Sequence, residues 1–163
     1  MRRRGMSLLM IVLVLVIGFT ASAIAKPTNY TAHLTGAAEV PSVETQAVGQ
    51  AVFQLSRDGT ELNFRLIVAN IENVTMAHIH CAPEGVNGPV IVWLYPAEGP
   101  PPAEADGRFS GVLSTGTITD DDVGACGDVN DVEGLVELIE AGGTYVNVHT
   151  SQYPAGEVRG QIR

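Results

Sequence analysis

With 163 residues and a formal net charge of −9 at pH 7, the chain is long enough to bury the core of one domain and is strongly acidic. A field of this sign repels nucleic acid and anionic lipid, so neither is an expected partner. Two cysteines and four histidines are the residues best suited to crosslinking and to metal binding.

The first 25 residues have the pattern of a secretory signal peptide. Arg2, Arg3 and Arg4 form a basic start, an apolar run follows over 8–19, and small residues precede a cleavage point after Ala25. The apolar run is shorter than the roughly 20 residues of a membrane span. We therefore expect a protein that is exported to the periplasm or the exterior and has no stable membrane anchor.

The remaining residues, 26–163, are predicted to form a single β domain. Apolar and polar residues alternate in most segments, which is typical of half-buried strands. An Asp58-Gly59 turn predicts a tight hairpin between two of them. Val90–Tyr95 is apolar on both faces and is predicted to be a covered, central strand. The predicted strands are 28–35, 49–56, 61–69, 74–80, 90–95, 107–119, 144–150 and 157–163.

One short helix is expected late in the chain. Asn130 is its predicted N-cap, Glu133 is the capping-box partner, and Gly142-Gly143 ends it. About eight strands and one late helix predict a mostly β fold, namely an antiparallel, Greek-key-like sandwich or a flattened barrel.

Three histidines fall on strand faces that can meet. Successive side chains of a strand alternate between its faces, and the apolar neighbours of His78 and His80 take the core side. The valines on either side of Asn147 do the same, which directs Asn147 and His149 outward. If these two strands are neighbours, three imidazoles can converge on one ion with bonds of roughly 2 Å.

Such a site suits copper or zinc, and a nearby soft ligand would favour copper. His33 is a possible fourth ligand. Met76 shares the face of His78, but it lies about 13 Å from His80 at strand rise and is a minor candidate. The residues expected to orient the ligands are Asn147, Glu157 and Arg159. The alternative is that the histidines are polar residues on a solvated face and bind nothing.

Cys81 and Cys126 are expected to form a disulfide, because exported proteins meet an oxidising environment. The alternative is a mixed thiolate–imidazole copper site, since Cys81 follows His80 directly. Strand alternation points Cys81 away from His78 and His80, which favours the disulfide.

The sequence resembles the CHRD domain, the module named after chordin, over Tyr30–Arg163. Three blocks in the same order carry the resemblance. They are Leu34-Thr35-Gly36 with Glu39-Val40-Pro41, Ala77-His78-Ile79-His80 with Gly85-Val86-Asn87-Gly88-Pro89-Val90, and Tyr145-Val146-Asn147-Val148-His149-Thr150 with Pro154-Ala155-Gly156-Glu157-Val158-Arg159-Gly160-Gln161. Animal members of that family sit in large matrix and growth-factor-binding proteins, so the resemblance implies an extracellular module and no particular chemistry.

A looser similarity in site plan links the chain to copper/zinc superoxide dismutase, which also carries a His-x-His strand and a later strand histidine. The chain has no histidine- and aspartate-rich loop like the zinc site of that family. No nucleophile–base pair is present either, so no catalytic residue is predicted and a binding protein is favoured over an enzyme. The first hypothesis is an exported copper-binding module, the second is a metal-free module that binds an extracellular protein or matrix, and the third is a redox enzyme of dismutase type. The oligomeric state is left open.

Overall fold

The computed structural model describes residues 28–96 and 105–163, and the predicted signal peptide over 1–25 lies outside them. Seven of the described segments are strands of one sheet, and one is an α-helix, α1 (Val132–Glu140). Among the described residues no helix combines the length and the apolar character of a membrane span. The strands are β1 (Asn29–Thr35), β2 (Val48–Leu55), β3 (Leu62–Cys81), β4 (Val90–Tyr95), β5 (Ala105–Ile118), β6 (Thr144–Thr150) and β7 (Val158–Gln161).

Strand β3 closes the sheet into a flattened barrel, as the sequence predicted. The strand order is β2-β1-β7-β6-β3, and β3 pairs again with β2 to complete a ring of five strands. The first half of β3 pairs with β2 and the second half pairs with β6. On the opposite edge of β3, strand β5 pairs with the first half and strand β4 pairs with the second half. The long strand β3 is therefore paired with β2 along its first half and with β6, the strand that carries His149, along its second half.

The two strands predicted over 61–69 and 74–80 are one continuous strand of 20 residues. Asn70 and Asn73 adopt positive φ angles of 57° and 52°, a conformation that asparagine tolerates better than most residues. The pairing with β5 is irregular at the same place. These irregularities bend the strand and do not end it.

Strand β4 is covered, as predicted, but it is not central. Within the described residues it pairs with β3 alone and lies at one end of the sheet. Ile91, Val92 and Leu94 are nevertheless buried. The segment before α1 covers its free edge, because the Gly124 N–H donates a hydrogen bond of 2.7 Å to the Ile91 carbonyl. An apolar sequence pattern indicates that a strand is buried, but it does not indicate how many neighbouring strands pair with it.

The helix α1 begins one residue later than predicted. Its N-cap is Asp131, whose carboxylate accepts a hydrogen bond of 2.8 Å from the Gly134 N–H, and the predicted cap Asn130 precedes it. Leu135, Val136 and Ile139 pack into the core. Asparagine and aspartate cap helices about equally well, so the two adjacent residues could not be separated by residue type.

The predicted disulfide between Cys81 and Cys126 is present. Cys81 is the last residue of β3 and directly follows His80. The bond therefore ties the histidine-bearing end of β3 to the connection that leads into α1.

Loss of this disulfide should destabilise the fold. The bond spans 45 residues of sequence, and closing a loop of that length stabilises a fold by about 4 kcal/mol in the chain-entropy model. In urea unfolding, the Cys81→Ala, Cys126→Ala double variant should have a free energy of unfolding about 4 kcal/mol lower than that of the native protein. Two titratable thiols in the unfolded, unreduced wild type would contradict the bond itself.

Candidate metal centre

The pairing of β3 with β6 places the histidines on one face of the sheet. Three cross-strand pairs share this face, namely Met76 with His149, His78 with Asn147, and His80 with Tyr145. The alternating pairs, Ala77 with Val148 and Ile79 with Val146, are fully buried in the barrel core. The predicted alternation is confirmed, and the histidines lie on the face away from that core.

The structure brings the three imidazoles together. One nitrogen from each of His78, His80 and His149 lies within 4.8 Å of the others, and His78 Nδ1 is 3.2 Å from His149 Nε2. Nitrogens that bind one tetrahedral ion with bonds of about 2.0–2.1 Å are about 3.3 Å apart, and they can be no more than about 4.2 Å apart in any geometry. A closure of up to about 1.5 Å would bring all three nitrogens to tetrahedral spacing around one ion.

The three histidines are buried, which argues against the alternative of a solvated face. Exposed fractions are 3% for His78, 8% for His80 and 7% for His149. The loop over 82–89 and the turn over 151–157 cover them, and the Trp93 ring packs edge-on against His78 at 4.2 Å. Alternation specifies which face a side chain takes, but it does not specify what the loops place above that face.

Two backbone carbonyls determine which nitrogens are available. His80 Nδ1 lies 2.9 Å from the Gly88 carbonyl, and His149 Nδ1 lies 3.1 Å from the Pro154 carbonyl. A carbonyl oxygen only accepts hydrogen bonds, so each Nδ1 carries the hydrogen and donates it. The Nε2 atom of each ring then presents a lone pair, which is the form of histidine that binds metals.

Two of the ring nitrogens lack any hydrogen-bond partner. His78 Nε2 and His80 Nε2 are buried and unpaired. A buried polar atom without a partner costs about 1–3 kcal/mol. An ion that accepts the lone pair of His80 Nε2 would remove this cost at His80, which points to a bound ion. His78 can offer the same ion only one nitrogen, either Nε2 or the Nδ1 atom that lies 3.2 Å from His149 Nε2.

Burial keeps the three imidazoles uncharged. It lowers the pKa of His78 to about 3, with further lowering by the neighbouring His149 and His80. Burial also lowers the pKa values of His80 and His149, although the carbonyls of Gly88 and Pro154 oppose this. Near neutral pH all three rings are therefore free of the proton that would compete with a metal ion.

Arg159 holds the covering loop in place. Arg159 is 2% exposed, and its guanidinium stacks 3.4 Å above the Tyr145 ring, which in turn stacks on His80 at 4.8 Å. It donates hydrogen bonds of 2.7 Å to the Val86 carbonyl and 2.9 Å to the Asn87 side chain. Arg159 thus acts on His80 through the stacked ring and the loop.

The other residues expected to orient the ligands make different contacts. Glu157 is buried and accepts hydrogen bonds from Thr45 and Thr150. The His149 ring donates its hydrogen bond to the Pro154 carbonyl. Sequence pattern cannot show this, because a carbonyl partner leaves no mark in residue type.

Asn147 does lie beside His78, and its amide donates a hydrogen bond of 3.4 Å to Glu39. His33, the possible fourth ligand, is exposed on β1 and lies outside the group of three.

Glu39 is a buried residue of this region that was not among the predicted site residues. It is 7% exposed, and burial raises the pKa of its carboxyl to about 7, although Arg159 and the Asn147 hydrogen bond lower it. Its position in the Glu39-Val40-Pro41 block was the signal available in the sequence. Gly156 packs directly against Asn147 and Glu39, where a Cβ atom would collide with both side chains.

The model of the CHRD domain family matches residues 30–162. The chain belongs to the CHRD domain family. No curated protein and no solved structure matches the chain. The three histidines, Arg159 and Glu39 all lie within the matched range, so the candidate centre is part of the CHRD domain.

The buried histidines should make the metal-free fold sensitive to acid. Their pKa values are lower in the folded chain than in the unfolded chain, so the unfolded chain binds protons that the folded chain does not. Stability is therefore full above about pH 6.5 and is lost as the pH falls, towards about 3 for His78. Glu39 has the opposite effect between about pH 7 and pH 4.5, where protonation of its buried carboxyl stabilises the fold. This single group opposes three histidines, so the net effect of acid remains destabilising.

The measurement is urea unfolding in chelator-treated buffer at several pH values. His78→Phe should reduce the slope of stability against pH, by up to about 1.4 kcal/mol per pH unit. His33→Phe is the matched control, because His33 is exposed and outside the group. Equal slopes for wild type and His78→Phe would contradict the burial of this imidazole.

Gly156→Ala should destabilise the protein more than Gly59→Ala. Both glycines have positive φ, 129° and 78°, so alanine is strained at either position. A Cβ at Gly59 meets nothing within 4 Å, whereas at Gly156 it meets Asn147 and Glu39. We expect Gly59→Ala to lower the free energy of unfolding by about 1 kcal/mol, and Gly156→Ala to lower it by about 1–3 kcal/mol more than that. Thermal or urea unfolding measures both. Equal losses would show that the turn yields without disturbing Asn147.

Proposed function

We propose that this CHRD protein is exported and binds one transition-metal ion, copper in preference to zinc, through His78, His80 and His149. The observation that carries the proposal is a group of three buried imidazoles in which two Nε2 atoms lack any hydrogen-bond partner. Burial argues against the solvated-face alternative. A surface that only contacts another protein has no need for unpaired nitrogens beneath two loops.

The surrounding residues support metal binding by holding the ligands in the required form. The Gly88 and Pro154 carbonyls fix the hydrogens of His80 and His149 on Nδ1, so Nε2 is the nitrogen of each ring that carries a lone pair. The lone pair of His149 Nε2 accepts a hydrogen bond from His78 Nδ1, which a bound ion would replace. Trp93 and Tyr145 pack against the rings of His78 and His80. The imidazoles therefore lose little rotational freedom when an ion binds, which favours affinity.

The donor set favours copper. Imidazole nitrogen binds both zinc and copper, and for a given site of this kind divalent copper binds more tightly than divalent zinc. Among the described residues the three-histidine group contains no carboxylate and no thiolate, and Cys81 and Cys126 are bonded to each other. The rival thiolate–imidazole site is therefore not supported.

Export is supported by the disulfide, which is typical of oxidising compartments, and by the basic and apolar pattern of residues 1–25. A single ion site in a small exported domain suits storage, delivery or sensing of the ion. The described residues contain one group of this kind, so a dismutase with paired copper and zinc sites has no support here.

The test is a titration followed by the fluorescence of Trp93, the single tryptophan of the chain. Since its ring contacts His78, a copper ion in the site should quench its emission, with an end point at one ion per chain. His80→Ala should abolish tight binding, because two imidazoles hold these ions weakly. His33→Ala should bind as the wild type does. Equal binding by wild type and His80→Ala, or none by either, would contradict the proposal and return the metal-free interaction module to first place.

A further inference from the structure

One side chain with a soft donor atom lies beside the three histidines. In the register of β3 and β6, Met76 is directly opposite His149, and it is two residues before His78 on the same face. Directly opposite residues have Cβ atoms about 4.5–5.5 Å apart. Met76 is half-buried. Along β3, Met76 is four residues from His80 and therefore remote from it. Across the pairing of β3 with β6, however, Met76 is adjacent to His149.

The methionine side chain can adapt to such a position. It is unbranched and has three rotatable bonds, so its sulfur can reach a point displaced from its own strand. Thioether sulfur is a soft, uncharged ligand that selects Cu(I) and contributes little to binding Zn(II). A site with three imidazoles and one thioether therefore discriminates between these ions.

The charges around the centre also favour an ion of low charge. The three neutral imidazoles include no carboxylate among them. Of the buried carboxyl groups nearby, Glu39 is hydrogen-bonded to Asn147 and burial raises its pKa to about 7, and Glu157 accepts hydrogen bonds from two threonines, so neither is a ligand in this group. The guanidinium of Arg159 is buried nearby, 3.4 Å above the Tyr145 ring that stacks on His80. A second positive charge in a buried region is costly, and a doubly charged ion costs more than a singly charged one. Neutral ligands beside a buried cation thus favour Cu(I) over a divalent ion.

We propose that the centre binds Cu(I) and that Met76 supplies its fourth ligand. This inference rests on the proposed metal function and goes further by assigning the oxidation state and the residue that confers selectivity. Met76→Leu removes the sulfur, while the leucine side chain keeps a similar volume and apolar character.

The experiment compares two ions on the same variants. Cu(I) affinity is measured by competition with bicinchoninate under anaerobic conditions, with ascorbate as the reductant so that the Cys81–Cys126 bond stays intact. Zn(II) affinity is measured by competition with a chromophoric chelator. Since loss of even an indirect partner of a metal ligand costs about 10–100-fold, Met76→Leu should weaken Cu(I) binding at least about tenfold. Its Zn(II) affinity should stay within about twofold of the wild type, because the two side chains pack alike.

Each other outcome overturns a distinct statement. If the wild type binds neither ion, the proposed metal function fails. If Met76→Leu keeps full Cu(I) affinity, the three-histidine site stands and the role of Met76 is wrong. If both ions lose affinity equally, Met76 acts through packing alone and is not a ligand. If the wild type binds Zn(II) but no Cu(I), the assignment of oxidation state is wrong.

Discussion

The register between β3 and β6 is the constraint on which the whole centre depends. Ala77 and Ile79 face the core opposite Val148 and Val146, and this packing fixes the two strands relative to each other. A slip of one residue would bring the histidines into the barrel core and expose the valines. The free energy of core packing thus also determines that His78, His80 and His149 share one face. Closure of the barrel by β3 holds both halves of that strand and leaves it little freedom to slip.

A layer of buried polar contacts then turns a strand face into an enclosed site. Arg159 donates a hydrogen bond to the Val86 carbonyl in the loop over 82–89. The Gly88 carbonyl in the same loop accepts a hydrogen bond from the His80 ring. The His149 ring donates a hydrogen bond to the Pro154 carbonyl. Such a layer is costly to build, because it buries a guanidinium and leaves ring nitrogens unpaired. Proteins often keep costs of this kind at functional sites, where a bound ligand offsets them.

The sequence predicted what strand periodicity and redox chemistry control. Alternation placed His78, His80 and His149 on shared faces, and the cysteine count paired Cys81 with Cys126. It could not show that β3 runs unbroken through Asn70 and Asn73, because positive φ at asparagine leaves no distinct pattern. The carbonyl partners of the histidine rings and the burial of Glu39 depend on how loops fold over the sheet. Those contacts join residues far apart in sequence, beyond the reach of local periodicity.

An anomalous difference map from crystals of the copper-loaded protein would show whether the three buried imidazoles bind one ion. We expect a single peak enclosed by His78, His80 and His149, about 2.0–2.1 Å from one nitrogen of each ring. Copper bound only elsewhere on the chain, with all three rings in their unliganded positions, would contradict it.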